Sequence, residues 1–210
     1  MDIGRLHDRH MLQMWAWDYL SPYTRYVQMR GLQYARQILQ MPATNNMKIT
    51  RVWSMPNRWS FQIKPIKELI SRYVGDGKGW ADPFAGKTVC TEFRNNFETT
   101  RIDARDYIKE VLKPNSLNGI LLDPPYSYRQ LFKTYKNGGS HLKGLLVPMT
   151  EINDLSAPLV KTGGYAISFG WNSNGLGLKR GFVIDEVLLI SHGGHHNDTI
   201  VTVEKREGKA

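Results

Sequence analysis

Cysteine is nearly absent. Cys90 is the only one in 210 residues, so no internal disulfide can form, and the expected setting is a reducing, intracellular compartment. Long apolar runs are missing as well. No stretch reaches the roughly 18 residues that a membrane-spanning helix requires. The first residues carry Asp2, Asp8 and Asp18 instead of the basic-then-apolar pattern of a secretory signal. There are no internal repeats and no low-complexity tracts. Acidic residues are comparatively few: 19 Asp and Glu against 28 Lys and Arg give a net charge of +9 with histidine neutral. A membrane-spanning, secreted disulfide-rich or fibrous protein is therefore not expected.

What is present is ordinary for a folded protein. Hydrophobic residues make up 41% and charged residues 22%, close to the globular average. The length suits one well-buried domain of about 150 residues with about 60 to spare. The basic surplus points to a polyanionic partner, although charge alone does not separate nucleic acid from a membrane surface.

The sequence changes character near residue 60. Residues 1–60 are rich in Trp, Tyr, Met and Arg, with helical spacing at Leu6, Met11, Met14, Trp15 and Tyr19 and again from Tyr23 to Leu39. Ser21-Pro22 separates the two expected helices, and Pro42 and Pro56 bracket a polar connector. Eight Lys and Arg face three aspartates in this stretch, so more than half of the net charge lies there. Arginines interleaved with Tyr23, Tyr26 and Tyr34 suit a nucleic-acid backbone; equally, a helical pair could pack through Trp15, Trp17 and Met29. We therefore expect a basic helical extension over residues 1–60 and an α/β domain over residues 61–210.

Within that domain, Ile63–Val74 reads as a helix, with Pro65 in its first turn and Gly75 beyond its end. Gly79–Asp82, Gly119–Asp123 and Gly164–Phe169 read as strands, and Asp106–Leu112, Tyr128–Lys136 and Glu151–Val160 as helices. Phe182–Ser191 and Thr199–Glu204 close the chain as an antiparallel pair at one end of the sheet.

Two strand ends carry the candidate chemistry, where ligands bind in open parallel sheets. Asp82-Pro-Phe-Ala-Gly86 offers a carboxylate and a glycine that lets backbone approach a ligand, although an unliganded tight turn would use similar residues. Asp123-Pro-Pro-Tyr126 is more specific, because two prolines stiffen the turn and fix the carboxylate relative to the ring. The Asp123 carboxylate and the Pro124 carbonyl could accept hydrogen bonds from an exocyclic amine while Tyr126 stacks on its ring. The plainer reading has Asp123 capping a helix and Tyr126 packing. His192, His195, His196 and Asp198 invite a metal reading. Gly193 and Gly194 between them suit a hairpin turn, no cysteine accompanies them, and no metal is expected.

With Phe61-Gln-Ile-Lys-Pro-Ile66 upstream of both strand-end motifs, the chain resembles the amino-group DNA methyltransferases that use S-adenosylmethionine. The order matches members whose cofactor motifs precede the catalytic one. It looks most similar to small adenine-specific enzymes of phages and prophages, which have segments like Ser127–Gln130, Ser168–Ser173 and His196–Thr199. The likeness runs from about Trp53 to Lys205. It implies a Rossmann-like methyltransferase sheet with a C-terminal antiparallel pair, in the cytoplasm of a bacterial or phage-infected cell.

Residue by residue, the resemblance implies that Phe61, Ile63 and Lys64 border the methionine end of the cofactor and that Asp82, Phe84 and Gly86 hold its amino acid and sulfonium region. Asp123, Pro124, Pro125 and Tyr126 would form the catalytic loop. Relatives place an acidic residue after the second strand for the ribose. Here the stretch is Glu92-Phe-Arg-Asn95, which makes Glu92 the candidate and Asn95 the fallback. Asp103 matches the next acidic position, facing the adenine. Phe169 and Trp171 are candidate walls of a base pocket, or core fillers. Lys179 and Arg180 are candidates for phosphate contact, or a solvated turn, and Phe132 and Tyr135 are further stacking candidates.

The implied reaction is methyl transfer from S-adenosylmethionine to the N6 amine of an adenine flipped out of duplex DNA. Within enzymes, transfer to cytosine N4, to RNA adenine or to a protein glutamine would use a related loop. A catalytically silent, nucleic-acid-binding accessory subunit is the non-enzyme alternative. Cys90 lies far from the Asp123 motif and does not directly precede it, so a cysteine-adduct route is not supported. Nothing resembles a separate target-recognition domain, so selectivity is expected to be short or to depend on a homodimer or a partner subunit.

Overall fold

Leu117–Leu122 (β4) reads Leu-Asn-Gly-Ile-Leu-Leu, and every residue except Asn118 is buried. A parallel strand covered on both faces needs such a near-continuous apolar run. Burial of each of Ile120, Leu121 and Leu122 contributes about 1.5–3 kcal/mol. Gly119 has no side chain because the Trp80 ring of the neighbouring strand occupies that space; a Cβ there would come within 2.5 Å of the indole. The computed structural model describes residues 47–86, 90–96, 100, 102–125, 148–194 and 196–208. The expected helices before residue 40, the helix over Tyr128–Lys136, Tyr126, Phe132, Tyr135 and His195 lie outside them.

The described residues form one seven-stranded sheet, ordered β1-β6-β7-β5-β4-β2-β3. Its strands are Lys48–Trp53 (β1), Trp80–Asp82 (β2), Phe93–Arg94 (β3), β4, Val160–Gly170 (β5), Phe182–Ser191 (β6) and Thr199–Arg206 (β7). Only β7 runs antiparallel to its neighbours. The described helices are Lys64–Val74 (α1), Ala104–Val111 (α2) and Met149–Ser156 (α3).

Helix α1 starts with Pro65 in its first turn and stops at Gly75, whose φ of 60° suits a residue without Cβ. It buries Ile66, Leu69, Ile70 and Val74 against Leu121, Ile167, Leu188, Ile190, Val201 and Val203 on one face of the sheet. Tyr107 and Ile108 of α2 and Ile152 of α3 pack on the other face against Ile120, Leu122, Val160 and Ala166. The result is a mixed α/β architecture compatible with a Rossmann-like fold.

Two elements differ from the sequence reading. β1 lies in the stretch read as a polar connector of the N-terminal extension, yet it pairs in parallel with β6 from Lys48↔Glu186 to Trp53↔Ser191. Among the described residues it is an edge strand, and Lys48, Thr50 and Arg51 interrupt its apolar residues and dilute the signal; the compact unit accordingly begins at Asn46. The β6–β7 pair is antiparallel as expected, but it is not the end of the sheet: β7 is inserted between β5 and β6, and β1 flanks β6.

Candidate functional site

The chain leaves β2 for β3 on one side and later returns to β4 on the other. That reversal makes the carboxyl ends of β2 and β4 a topological switch point, the place where ligands bind in open α/β sheets. β2 ends at Asp82, and Asp123 follows the last residue of β4. The two carboxylates therefore sit on adjacent parallel strands at the switch point. Asp82 is 1% exposed, and its Oδ1 accepts the Phe84 amide at 3.0 Å. Burial pushes the Asp82 carboxyl up to about 7; the Asp123 charge adds to the rise, and the Phe84 amide and Arg94 oppose it. Asp123 is partly exposed, Pro124 is buried and Pro125 is partly exposed.

The same edge gathers most of the other candidates. Leu122 pairs with Ser168, so Phe169 lies level with Asp123 on the next strand, and by alternation on the same face. Phe169 itself is buried and packs on Phe61 with ring centroids 5.2 Å apart. It is therefore a core residue supporting Phe61 and not an open pocket wall. Trp171, two residues on, is 47% exposed. Ile63 is likewise core, while Lys64 is the exposed first residue of α1, whose start lies at this edge because the helix connects the end of β1 to the start of β2. Phe84 is half-buried against the second core face.

The acidic candidates separate. Glu92 precedes β3, and its Oε2 accepts the Gly79 amide at 2.7 Å in the turn that leads into β2. That is the amino edge of the sheet, which corrects its assignment to the ribose. The error arose because the strand is only two residues long and begins after Glu92. Asn95, at the carboxyl end of β3, is 2% exposed. Its Nδ2 donates to the carbonyls of Pro83 (3.2 Å) and Ile102 (3.0 Å), and its Oδ1 accepts from Thr100 Oγ1 at 2.6 Å. With both amide hydrogens committed inside the fold, Asn95 is a brace and not a cofactor ligand. Asp103 caps α2, accepting the Arg105 amide at 2.9 Å and its guanidinium Nε at 2.8 Å; this places it at the carboxyl edge with a structural task.

The phosphate candidates lie elsewhere. Lys179 and Arg180 form a short 3-10 turn just before β6, toward the amino edge. Lys179 is exposed. The Arg180 guanidinium bonds Asp154 at 2.7 Å and the Leu176 carbonyl at 2.8 Å, so it fastens the β5–β6 connection to α3. The same connection is held by Glu204, whose buried carboxylate accepts the amides of Leu176 (2.6 Å) and Gly177 (2.8 Å). His192 is also absorbed by structure, its ring nitrogens bonding the Ser54 carbonyl (2.8 Å) and Thr199 Oγ1 (2.9 Å).

Two contributors were not picked out from sequence. Trp59 packs on Gly86, where a Cβ would come within 3.0 Å of the ring, and the Arg58 guanidinium stacks 5.1 Å from the indole centroid. An aromatic residue two positions before Phe61 was the available signal. Cys90 lies near Asp82 despite their separation in sequence. Burial, then the Asp82 charge, pushes its thiol up to about 12, so it stays protonated and is a poor nucleophile.

No protein-family model matches the chain, and no curated protein matches it. Among the described residues no helix is long and apolar enough to cross a membrane.

Proposed function

We propose that the protein is an S-adenosylmethionine-dependent DNA methyltransferase acting on the N6 amine of adenine. The observation that carries this reading is the pairing of Asp82 with Asp123-Pro124-Pro125 across the switch point between β2 and β4. A carboxylate so deeply buried beside a second one favours a cationic ligand, and the cofactor carries both an ammonium and a sulfonium. The close packing of Gly86 on Trp59 leaves backbone and ring, without an intervening side chain, at the same loop.

When bound, S-adenosylmethionine supplies a methyl group activated by positively charged sulfur. The residues of this chain then have separable tasks. Asp82 presents negative charge to the cationic end of the cofactor. Asp123 and the Pro124 carbonyl accept hydrogen bonds from the target amine and stabilise positive charge as it develops on nitrogen. Pro124 and Pro125 keep that corner from relaxing away. Tyr126, outside the described residues, is assigned by the sequence to stacking on the extruded base, which offsets part of the few kcal/mol that flipping costs. The net charge of +9 favours association with the polyanion.

The test is to incubate the full chain with methyl-labelled cofactor and duplex DNA, single-stranded DNA or RNA, then digest and identify the product nucleoside. N6-methyladenine from duplex DNA is expected, with Asp123→Ala reducing its formation by about 100-fold or more. Unchanged product in that variant would remove Asp123 from the mechanism. A wild-type protein that binds DNA but neither binds nor uses the cofactor would instead make it an accessory subunit.

A further inference from the structure

The loop that carries Asp82 is gripped from outside at three carbonyls. The Asn95 amide donates to the Asp82 carbonyl at 3.0 Å and the Asn95 side chain to that of Pro83 at 3.2 Å. The Asn96 side chain donates to the carbonyl of Gly86 at 3.2 Å. Two consecutive asparagines at the end of β3 thus hold both ends of a five-residue turn on the neighbouring strand. The grip is itself anchored. Asn95 reaches on to Ile102 and receives Thr100 Oγ1, and the Thr100 amide returns to the Asn96 carbonyl at 2.8 Å. Asparagine suits the task because its amide group donates without adding charge beside a buried carboxylate, which aspartate in its place would do.

We infer that Asn95 and Asn96 are positioning residues, which fix the Asp82–Gly86 loop by its carbonyls and so keep the Asp82 carboxylate buried beside Asp123. Neither asparagine needs to touch the cofactor. Their effect passes through Asp82, whose other charged and titratable neighbours among the described residues are Asp123 after β4, Arg94 on β3, Cys90 before β3 and Tyr107 on α2. The consequence for cofactor affinity rests on the function proposed above; the consequence for Asp82 itself does not.

Two measurements on the full chain separate them. Carbon-13 NMR of the labelled protein follows the Asp82 carboxyl through a pH titration without ligand. In Asn96→Ala the freed turn should let water reach Asp82, lowering its midpoint by about half a unit or more. Asn96→Ser, which keeps a short donor, should recover part of the shift. In Asn95→Asp, two donations are replaced by a charge and the midpoint should rise; if that variant does not fold, Asn96→Ala still decides. An unmoved Asp82 midpoint in Asn96→Ala, with only a lower melting temperature, would overturn the inference. The second measurement is the affinity for S-adenosylmethionine at pH 7, expected to fall about tenfold in Asn96→Ala, equivalent to the loss of one net hydrogen bond. Undiminished affinity in that variant would also overturn it. Failure of the wild type to bind would overturn the proposed function and leave the NMR outcome to judge the asparagines.

Discussion

Two buried carboxylates, one at each end of the sheet, are treated in opposite ways. Glu186 on β6 is 2% exposed, and three side chains from two elements converge on it. Arg72 of α1 forms a two-pronged pair with it at 3.0 Å, Tyr73 shares its hydroxyl between it (3.0 Å) and Asp185 (2.9 Å), and Lys48 of β1 lies 3.3 Å away. Burial works against its charge, but these donors hold its pKa below the ordinary glutamate value. Asp82 is as buried, but burial and the Asp123 charge outweigh the Phe84 amide and Arg94, its register partner on β3, and its pKa rises instead. A buried charge surrounded by cations belongs to the architecture, whereas one left electrostatically in debt marks a place where a ligand can complete the balance.

The contrast can be broken from either side, and the largest effect is expected at Asp82. Its folded-state pKa of about 7 lies above the ordinary 3.8, so the folded protein holds an extra proton between those values. Stability therefore falls as pH rises through that window and is constant above it. The total penalty is about 4 kcal/mol. Asp82→Asn should remove it: chemical denaturation at pH 8 should show a variant more stable than wild type, with the advantage vanishing near pH 4. A variant less stable at pH 8 would mean that the ionised form is already compensated.

A smaller effect of opposite pH dependence is expected at Glu186. Arg72→Met keeps the stem of the side chain but removes the two-pronged partner, and should cost about 2 kcal/mol at pH 7; the half-exposed position of Arg72 and the remaining contacts from Lys48 and Tyr73 keep the loss below that of a fully orphaned charge. Because the folded Glu186 pKa is lowered, the stabilisation is present above the ordinary value of 4.5 and lost as pH falls below it. Equal destabilisation at pH 7 and pH 3 would show that packing, not charge, is what Arg72 provides. The smallest effect is expected at Gly86→Ala, where the new methyl meets the Trp59 ring. A cost of about 1 kcal/mol in melting experiments is expected if the indole shifts, with quenched or shifted tryptophan fluorescence reporting the movement.

How much of this was legible in the sequence depended on burial. β4 and the corner after it were readable because a central parallel strand is apolar on both faces, and the prolines that follow have few other uses. α1 announced itself through Pro65 and Gly75. β1 and β3 did not: the first lies at the end of the sheet among the described residues and is largely exposed, and the second has only Phe93 and Arg94 to signal it. The missed second strand carried Glu92 to the wrong edge. The partners of Arg180 and Asn95 were hidden for another reason. Their side chains are consumed by Asp154 and by the Pro83 and Ile102 carbonyls, partners fixed by folding and distant or unremarkable in sequence. A charged residue inside an apolar strand, as in Phe-Val-Ile-Asp-Glu-Val-Leu-Leu-Ile-Ser, was the one visible hint of the Glu186 cluster.

The insertion of β7 between β5 and β6 has a consequence for biosynthesis. Neither of those strands can acquire its shared neighbour until residues 199–206 have emerged from the ribosome. A nascent chain halted before then would carry two apolar flanks with unfilled backbone hydrogen bonds, a target for chaperones and for self-association.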